Sequence, residues 1–345
     1  MRSMVALAAS LTLAATSCSL VGGDDDSDDD AKGSVVLVTH DSFSLPDDLV
    51  TAFEKESGYQ LEIRKAGDGG TLTNELVLTK DSPLGDVAFG VDNTFASRAL
   101  EEGVFAPYEF EAPAGVEDYA LPGDDEHALT PVDNANVCVN IDDTWFAKEG
   151  IAPPEDLDDL TDPTYRDLFV TPGAATSTPG LAFLLTTIAE YGDGWADYWE
   201  DLVANGAKIT KGWEDAYNVD FTQGKGDRPI VLSYDSSPAF TVADGKSTTS
   251  ALLDTCFEQV EYAGLVDGAD NPDGGKELIE FLVSPEVQAA LPESMYVFPV
   301  ADGVELPAEW ARFAEQPSDP HELDPAEVTA NRETWLREWS DVTSR

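Results

Sequence analysis

Short apolar runs alternate with helix-like segments from Ser34 onward. Residues 35–38, Val-Val-Leu-Val, form a continuous apolar run typical of a buried parallel strand. Pro46 and the aspartates after it open a helix that Gly58 ends. Further strands are predicted at 61–63, 86–90, 131–141, 230–234 and 257–265, and further helices at 72–79, 94–102, 177–188, 276–283, 285–291 and 325–339. This alternation predicts an α/β fold with a largely parallel sheet.

The first residues have the pattern of an export signal rather than of folded structure. Arg2 precedes an apolar stretch at 4–15 that is too short to span a membrane, and small residues then lead to Cys18. This ending resembles the lipobox of bacterial lipoproteins, so we predict a signal peptide at 1–17 and a lipidated Cys18. The Asp-rich segment at 18–33 is then a polar tether without a fold. The alternative is an ordinary secretory signal with an incidental Cys18. Both interpretations predict an exported protein, either in the periplasm or lipid-anchored at the outer face of the cytoplasmic membrane.

Length and charge narrow the class of protein. A chain of 345 residues suits two domains of ordinary size. Asp and Glu number 68 against 19 Lys and Arg, which gives a formal net charge of -49. Such a surface repels phosphate backbones, so no nucleic-acid partner is expected. Contact with a membrane is expected only through the lipid anchor. Most of the charge is interpreted as a solvated acidic surface that keeps an exported protein soluble.

Aromatic residues in polar loops are the main candidates for chemistry. The sequence has no Gly-rich phosphate loop with Lys, no HExxH and no GxSxG segment, and its three histidines are too scattered to predict a metal site. Aromatic side chains instead cluster at 211–217, 233–240 and 295–300. Open α/β sheets bind ligands beside the carboxyl ends of their strands, so these loops can line a cleft. The alternative is that each aromatic side chain packs within its own loop.

Eight segments of the sequence, taken together, are specific enough to indicate a protein family. The set comprises THDSF at 39–43, GVDN at 90–93, TSTPGLAFLL at 176–185, KGWEDAY at 211–217, VLSYDSSPAF at 231–240, SPEVQAAL at 284–291, FPVADGVELP at 298–307 and the final NRETWLREWSDVTSR. Together these segments resemble the periplasmic thiamine-binding proteins, the receptors of bacterial thiamine ABC importers. The resemblance implies a monomeric receptor without catalytic activity or cofactor. Such a receptor captures thiamine, or also its phosphates, and passes it to an ABC permease.

The resemblance also implies a type II periplasmic-binding-protein fold, in which two α/β lobes are joined by crossover strands and enclose a ligand cleft. We expect lobe 1 at 34–131 and 262–300 and lobe 2 at 132–261 and 301–345. The crossovers then fall near 130–139 and 258–265, flanked by Cys138 and Cys256. Because an exported protein meets an oxidising environment, we predict that these cysteines form a disulfide. Two buried thiols are the alternative.

The ligand contacts are implied in the same way. Trp213 matches a stacking tryptophan and Asp92 an acidic site residue, while Ser177 and Thr178 match residues at the hydroxyethyl or phosphate end of the ligand. The expected contacts are His40, Ser42, Asp92, Asn93, Ser177, Thr178, Trp213, Tyr217, Tyr234, Asp235, Ser236, Ser237, Pro238, Phe240 and Tyr296. Aromatic faces and a carboxylate suit thiamine, because its flat thiazolium ring carries a permanent positive charge.

Three positions depart from the enterobacterial pattern of this family: His40 and Phe240 replace Tyr, and Tyr296 replaces Trp. The preference among thiamine, its monophosphate and its diphosphate therefore stays open. Two other functions also stay open. A polyamine receptor uses similar aromatic and acidic residues. A thiamine-degrading enzyme on the same fold needs Cys138 or Cys256 as a free nucleophile, so a disulfide between them excludes it.

Overall fold

A computed structural model describes residues 32–344, so the predicted signal peptide, Cys18 and nearly all of the predicted tether lie outside the described residues. The strands are β1 Ser34–Thr39, β2 Gln60–Lys65, β3 Val87–Asp92, β4 Phe105–Ala106, β5 Thr130–Asp142, β6 Phe169–Pro172, β7 Lys208–Thr210, β8 Ile230–Tyr234, β9 Val242–Ala243, β10 Lys246–Ser247, β11 Thr249–Val266 and β12 Phe298–Pro299. The helices are α1 Asp47–Ser57, α2 Gly69–Leu78, α3 Ala96–Glu101, α4 Asp143–Glu149, α5 Thr178–Tyr191, α6 Trp195–Ala204, α7 Ser237–Phe240, α8 Pro272–Leu282, α9 Pro285–Ser294, α10 Ala308–Ala311 and α11 Pro325–Thr343. Within this part of the chain, no helix is both long enough and apolar enough to cross a membrane.

The main sheet consists of two parallel groups separated by a pair of long antiparallel strands. Its order is β2-β1-β3-β11-β5-β8-β6-β7, with β4 beside β11 and β12 beside β5. Strands β1, β2 and β3 are parallel, as are β6, β7 and β8. Strands β5 and β11 are antiparallel to each other and to their outer neighbours. The prediction of a largely parallel sheet is therefore right within each half and wrong at the centre, where the chain crosses between the halves.

The first half is built on β1 and β3, which are covered on both faces. Leu37 and Phe89 pack with residues of α1 and α8 on one face. Val38 and Ala88 pack with residues of α2 on the other. Burial of both faces explains why β1 has a continuous apolar sequence instead of an alternating one.

Helix α5 forms the centre of the second half. Its residues from Thr178 to Ile188 are all buried, because α5 lies between the sheet and α6. Trp199 of α6 is fully buried between Phe183 of α5 and Trp339 of α11. A helix that is apolar on all sides needs such cover. This packing fixes the N-terminus of α5 at the boundary between the halves.

Strands β5 and β11 carry the chain between the halves and are linked by a disulfide between Cys138 and Cys256. The pairing of these strands is irregular between Leu252 and Phe257, and Cys256 lies in this bulge. The sequence prediction missed the first part of β11, from Thr249, because the residues before the bulge are partly exposed and form no apolar run. The described chain thus has two halves joined by crossover strands, while the lobe boundaries given above stay a prediction.

Candidate functional site

A cleft lies between the two halves, where several strands end. It has a cavity volume of about 220 Å³ and is partly open to solvent. Strand β11 contributes to its floor, and the N-termini of α2 and α5 meet at one end. The lining residues are His40, Ser42, Asp68, Gly69, Thr178, Trp213, Glu214, Tyr217, Asn218, Tyr234, Ser236, Ser237, Phe240, Glu261, Ser294, Met295, Tyr296 and Val297.

One side of the cleft is an aromatic wall formed by Trp213, Tyr217, Tyr234, Phe240 and Tyr296. Trp213 and Tyr217 are stacked, with ring centroids 5.0 Å apart and planes 15° apart. Tyr234 lies 6.1 Å from Trp213. Phe240 meets Tyr296 edge to face at 4.8 Å. The rings form a continuous surface against which a flat ligand can stack.

Hydrogen bonds at both ends orient Trp213. Its backbone N–H donates to Asp68 Oδ2 at 2.7 Å, and its indole Nε1 donates to Ser233 Oγ at 2.9 Å. Ser233 is fully buried at the end of β8 and also bonds Ser237 Oγ at 2.7 Å. The bond to Ser233, which lies in the same half as Trp213, therefore fixes the indole independently of closure, so less entropy is lost on binding.

The floor of the cleft contains an acid row, which we define as Asp92 of β3, Glu261 of β11 and Asp133 of β5. The strand register places Glu261 opposite both Asp92 and Asp133. All three side chains are buried, and Glu261 is the member that lines the cleft. Asp92 accepts hydrogen bonds from Thr94 and Thr178. Glu261 and Asp133 are directly opposed residues of paired antiparallel strands, so their carboxyl groups are close neighbours.

The acid row has no Lys or Arg salt-bridge partner among residues 32–344. Burial raises the pKa of Glu261 well above its ordinary value, and the negative charge of Asp133 adds to this effect. Burial also raises the pKa values of Asp133 and Asp92. His40 Nε2 lies 3.6 Å from Glu261 Oε1, but burial, with the charge of Lys65, lowers the pKa of His40 to about 4. The imidazole is therefore neutral near neutral pH and leaves the acids without a counter-charge.

Asp68 connects the two halves at the other end of the cleft. It caps α2 by accepting from Gly69 N at 2.7 Å. The same carboxylate accepts from two donors of the second half, Thr178 N at 3.2 Å and Trp213 N at 2.7 Å. Nearby, Thr71 N donates to Thr176 O at 3.1 Å. Desolvation raises the pKa of Asp68, and the hydrogen bond from Trp213 is the largest effect opposing the rise. These contacts hold the halves together around the cleft.

The structure brings many of the predicted contacts together. Those that line the cleft are His40, Ser42, Thr178, Trp213, Tyr217, Tyr234, Ser236, Ser237, Phe240 and Tyr296. For these residues, the alternative that each aromatic side chain serves only its own loop does not hold, since the rings come from separate loops and contact one another.

Other predicted contacts do not line the cleft. Asp92 and Ser177 are fully buried beneath it, and Ser177 serves as the N-cap of α5. Asn93 lies on the opposite side of the crossover strands, because its side chain bonds the backbone of β11 at Glu258 and Val260. Hydrogen bonds to backbone atoms direct the side chains of Asn93 and Ser177 away from the cleft. Asp92 lies beneath the cleft floor, where it is bound by Thr94 and Thr178.

Asp235 and Pro238 also lie away from the cleft, beside a second groove near Arg312. Asp235 accepts from the backbone and side chain of Asn136, at 3.2 and 2.8 Å, and so fixes the loop between β8 and α7 to β5. Burial raises its pKa to about 6. Asp235 therefore supports the loop that carries Ser236 and Ser237.

Sequence reasoning missed part of the cleft. The additional lining residues are Asp68, Gly69, Glu214, Asn218, Glu261, Ser294, Met295 and Val297. Two features of the sequence could have indicated Asp68 and Glu261. Asp68 directly precedes a helix and is an N-cap residue type, and Glu261 is an acid in the apolar strand predicted at 257–265, where a charge needs a reason.

Comparisons with known proteins agree with this architecture. Residues 82–317 match the family described as bacterial extracellular solute-binding protein. The chain belongs to this family. As a solute-binding protein it is extracytoplasmic, and its family is one of binding proteins rather than enzymes.

Similar members of the family carry a more specific description. The thiamine-binding periplasmic protein of Escherichia coli is 32% identical over 325 residues, which cover 91% of this chain and 95% of the relative. The thiamine-binding periplasmic protein of Brucella suis is 30% identical over 327 residues, covering 91% and 93%. A solved structure described as a periplasmic thiamin binding protein has 30% identity and a TM-score of 0.80, covering 90% of this chain and 96% of that one. The expected fold is therefore confirmed.

The disulfide bears on the enzyme alternative. A thiamine-degrading enzyme needs a nucleophilic thiol at the cleft. Cys138 and Cys256 are bonded to each other, and neither lines the cleft. Within residues 32–344, no free cysteine is left for that role.

Proposed function

We propose that this solute-binding protein captures thiamine and delivers it to an ABC importer. The observation that carries the proposal is the aromatic wall facing buried carboxyl groups that lack a cationic partner among the described residues. A stacked, permanently cationic ring satisfies both features at once, because an aromatic face near a desolvated cation contributes roughly 0.5–2 kcal/mol. The names of the similar proteins support the same ligand.

Closure of the halves accounts for capture and delivery. Asp68 and the N-terminus of α2 contact the N-terminus of α5 and Trp213, so a ligand between the halves is enclosed when these contacts form. Enclosure excludes water and strengthens the attraction between the cation and the carboxylates. The permease then distinguishes the closed, loaded receptor from the empty one by its shape.

Calorimetry can test the ligand. Thiamine, its monophosphate, its diphosphate and spermidine are titrated into the purified protein, and native mass spectrometry is used to look for a co-purified ligand. We expect tight, one-to-one binding of thiamine and weak binding of spermidine, because a polyamine has no flat ring to stack on Trp213. Tighter binding of spermidine than of thiamine would favour the polyamine receptor.

We further propose that Cys18 carries a lipid that holds the receptor at the outer face of the cytoplasmic membrane. The small residues before Cys18 and the Asp-rich segment after it support this proposal. In the native host, Cys18→Ser is expected to move the protein from the membrane fraction to the soluble fraction, while thiamine affinity is unchanged. Membrane retention of the variant would contradict the anchor.

A further inference from the structure

Glu261 is at the centre of the acid row, and no group among residues 32–344 donates a hydrogen bond to its carboxylate; the nearest side-chain nitrogen, His40 Nε2, lies 3.6 Å away. Its neighbour Asp92 is bound by Thr94 and Thr178. Its other neighbour, Asp133, is 1% exposed, and its Oδ2 atom has no hydrogen-bond partner within the described chain. The carboxyl groups of Glu261 and Asp133 therefore have each other as their nearest possible hydrogen-bond partner.

The groups that face Glu261 come from several elements. They are Asp133 from β5, Asp92 from β3, His40 from the loop after β1, Asp68 from the start of α2 and Tyr234 from β8. None of these groups is permanently positive. His40 Nε2, which is buried, also lacks a hydrogen-bond partner and lies 3.6 Å from Glu261.

Two carboxyl groups this close and this buried cannot both ionise without a counter-charge, because desolvation and mutual repulsion both oppose the second charge. Such pairs hold a single proton between them and titrate as a unit. A cation in the cleft removes the need for that proton, since it supplies the missing positive charge beside Glu261.

We propose that Glu261 and Asp133 share one proton in the empty cleft and that a cationic ligand replaces it, so that Glu261 selects ligands by charge. The ligand brings one positive charge, and the shared proton leaves to the solvent. The total charge of the cleft is then the same before and after binding. This inference rests on the proposed function and defines the feature of thiamine that the site recognises.

The test is a pair of matched ligands measured by calorimetry at about pH 7 in buffers of different ionisation enthalpy. Thiamine is compared with its neutral thiophene analogue, in which carbon replaces the thiazolium nitrogen. Wild-type protein is expected to bind thiamine more tightly, by at least about tenfold, and to release roughly one proton with thiamine and none with the analogue. Thiamine affinity should rise with pH, by up to about tenfold per pH unit, while the pair still holds its proton.

Variants test whether the proton release comes from Glu261 and Asp133. Glu261→Gln should lose the proton release and the preference for thiamine, yet still bind the neutral analogue, which shows that it folds. Asp133→Asn should reduce the proton release, because the negative charge of Asp133 no longer adds to the effect of burial on Glu261. Glu258→Gln is the matched control: it lies on the same strand but faces the groove on the other side, and it should behave as wild type.

The outcomes separate the two proposals. If thiamine does not bind wild-type protein, both the proposed function and this inference are wrong. If thiamine binds without proton release, or if Glu261→Gln weakens both ligands equally, the inference alone is overturned. Unchanged proton release in Asp133→Asn would also overturn it, since the proton would then come from a group outside the pair, such as the buried carboxyl group of Asp92.

Discussion

At the scale of single residues, Trp213 makes the largest flat contact that the cleft offers. Its ring stacks on Tyr217, and hydrogen bonds fix both its backbone and its indole. We expect Trp213→Ala to weaken thiamine binding at least about tenfold, or about 1.4 kcal/mol. Trp335→Ala, in a partly buried tryptophan of α11 away from the cleft, serves as the control. Equal affinities of the two variants by calorimetry would make Trp213 a purely structural residue.

Glu261 is expected to lower the free energy of unfolding of the ligand-free protein, because its carboxyl group is buried beside other acids. The unfolded chain releases the protons of Glu261 and Asp133 near their ordinary pKa values, whereas the folded pair retains its shared proton to higher pH. The folded state thus binds more protons in this window, so the free energy of unfolding decreases as the pH rises from about 4 toward about 8.

Glu261→Gln is therefore predicted to raise the melting temperature of the ligand-free protein by a few degrees at neutral pH, with little difference near pH 4. Thermal unfolding followed by circular dichroism at several pH values measures this effect, with Glu126→Gln, at an exposed residue of the turn before β5, as the control. A variant that is less stable than wild type at neutral pH would show that Glu261 has a stabilising partner. A site that trades stability for ligand affinity is common in binding proteins.

At the scale of elements, the start of α2 must come very close to the start of α5. A Cβ atom on Gly70 would lie 2.8 Å from the Thr176 carbonyl carbon and 3.1 Å from Ser177 N, both of them backbone atoms that cannot turn aside. The added Cβ would also lie 2.7 Å from Cζ of the buried Phe95. We predict that Gly70→Ala keeps the halves from closing fully and weakens thiamine binding at least about tenfold.

The control for Gly70→Ala is Leu78→Ala on the same helix, where the side chain is 81% exposed. Calorimetry gives the affinities, and small-angle X-ray scattering at saturating thiamine gives the radius of gyration. The Gly70 variant should remain more extended than the control. If it compacts and binds as the control does, the contact between α2 and α5 is not needed for closure.

Elements were the most predictable part of this molecule. Apolar runs such as 35–38 and 230–234 predicted β1 and β8, since both are buried on both faces. The site was only partly predictable. The aromatic residues stood out because they interrupt polar loops, but the acid row is created by strand register. Asp92, Asp133 and Glu261 become neighbours only when β3, β5 and β11 are side by side, and nothing local in the sequence specifies that order.

At the scale of the whole molecule, the disulfide joins the two strands that connect the halves. Its cysteines are 118 residues apart in sequence. Cross-linking such a long loop restricts the unfolded chain, and loss of a native disulfide costs about 2–5 kcal/mol. We predict that the Cys138→Ala/Cys256→Ala variant unfolds at a clearly lower denaturant concentration than wild type.

The same variant should still bind thiamine at low temperature, because neither sulfur lines the cleft. Retained thiamine binding in a destabilised variant would show that the disulfide supports the fold and takes no part in ligand binding. Wild-type protein unfolded with a reducing agent present is the control and should resemble the variant. An unchanged unfolding midpoint would mean that the packing of β5 and β11 holds the crossover without the covalent bond.

The bridge also makes a covalent ring of most of the second half, since α4 to α7 and β6 to β10 all lie between Cys138 and Cys256. The exposed turn at Asp244 and Gly245, between β9 and β10, lies inside this ring. A protease that cuts there leaves both pieces joined through the cystine. A nicked receptor would therefore migrate as one band without reductant and as two with it, and the crossover between the halves would survive the cut.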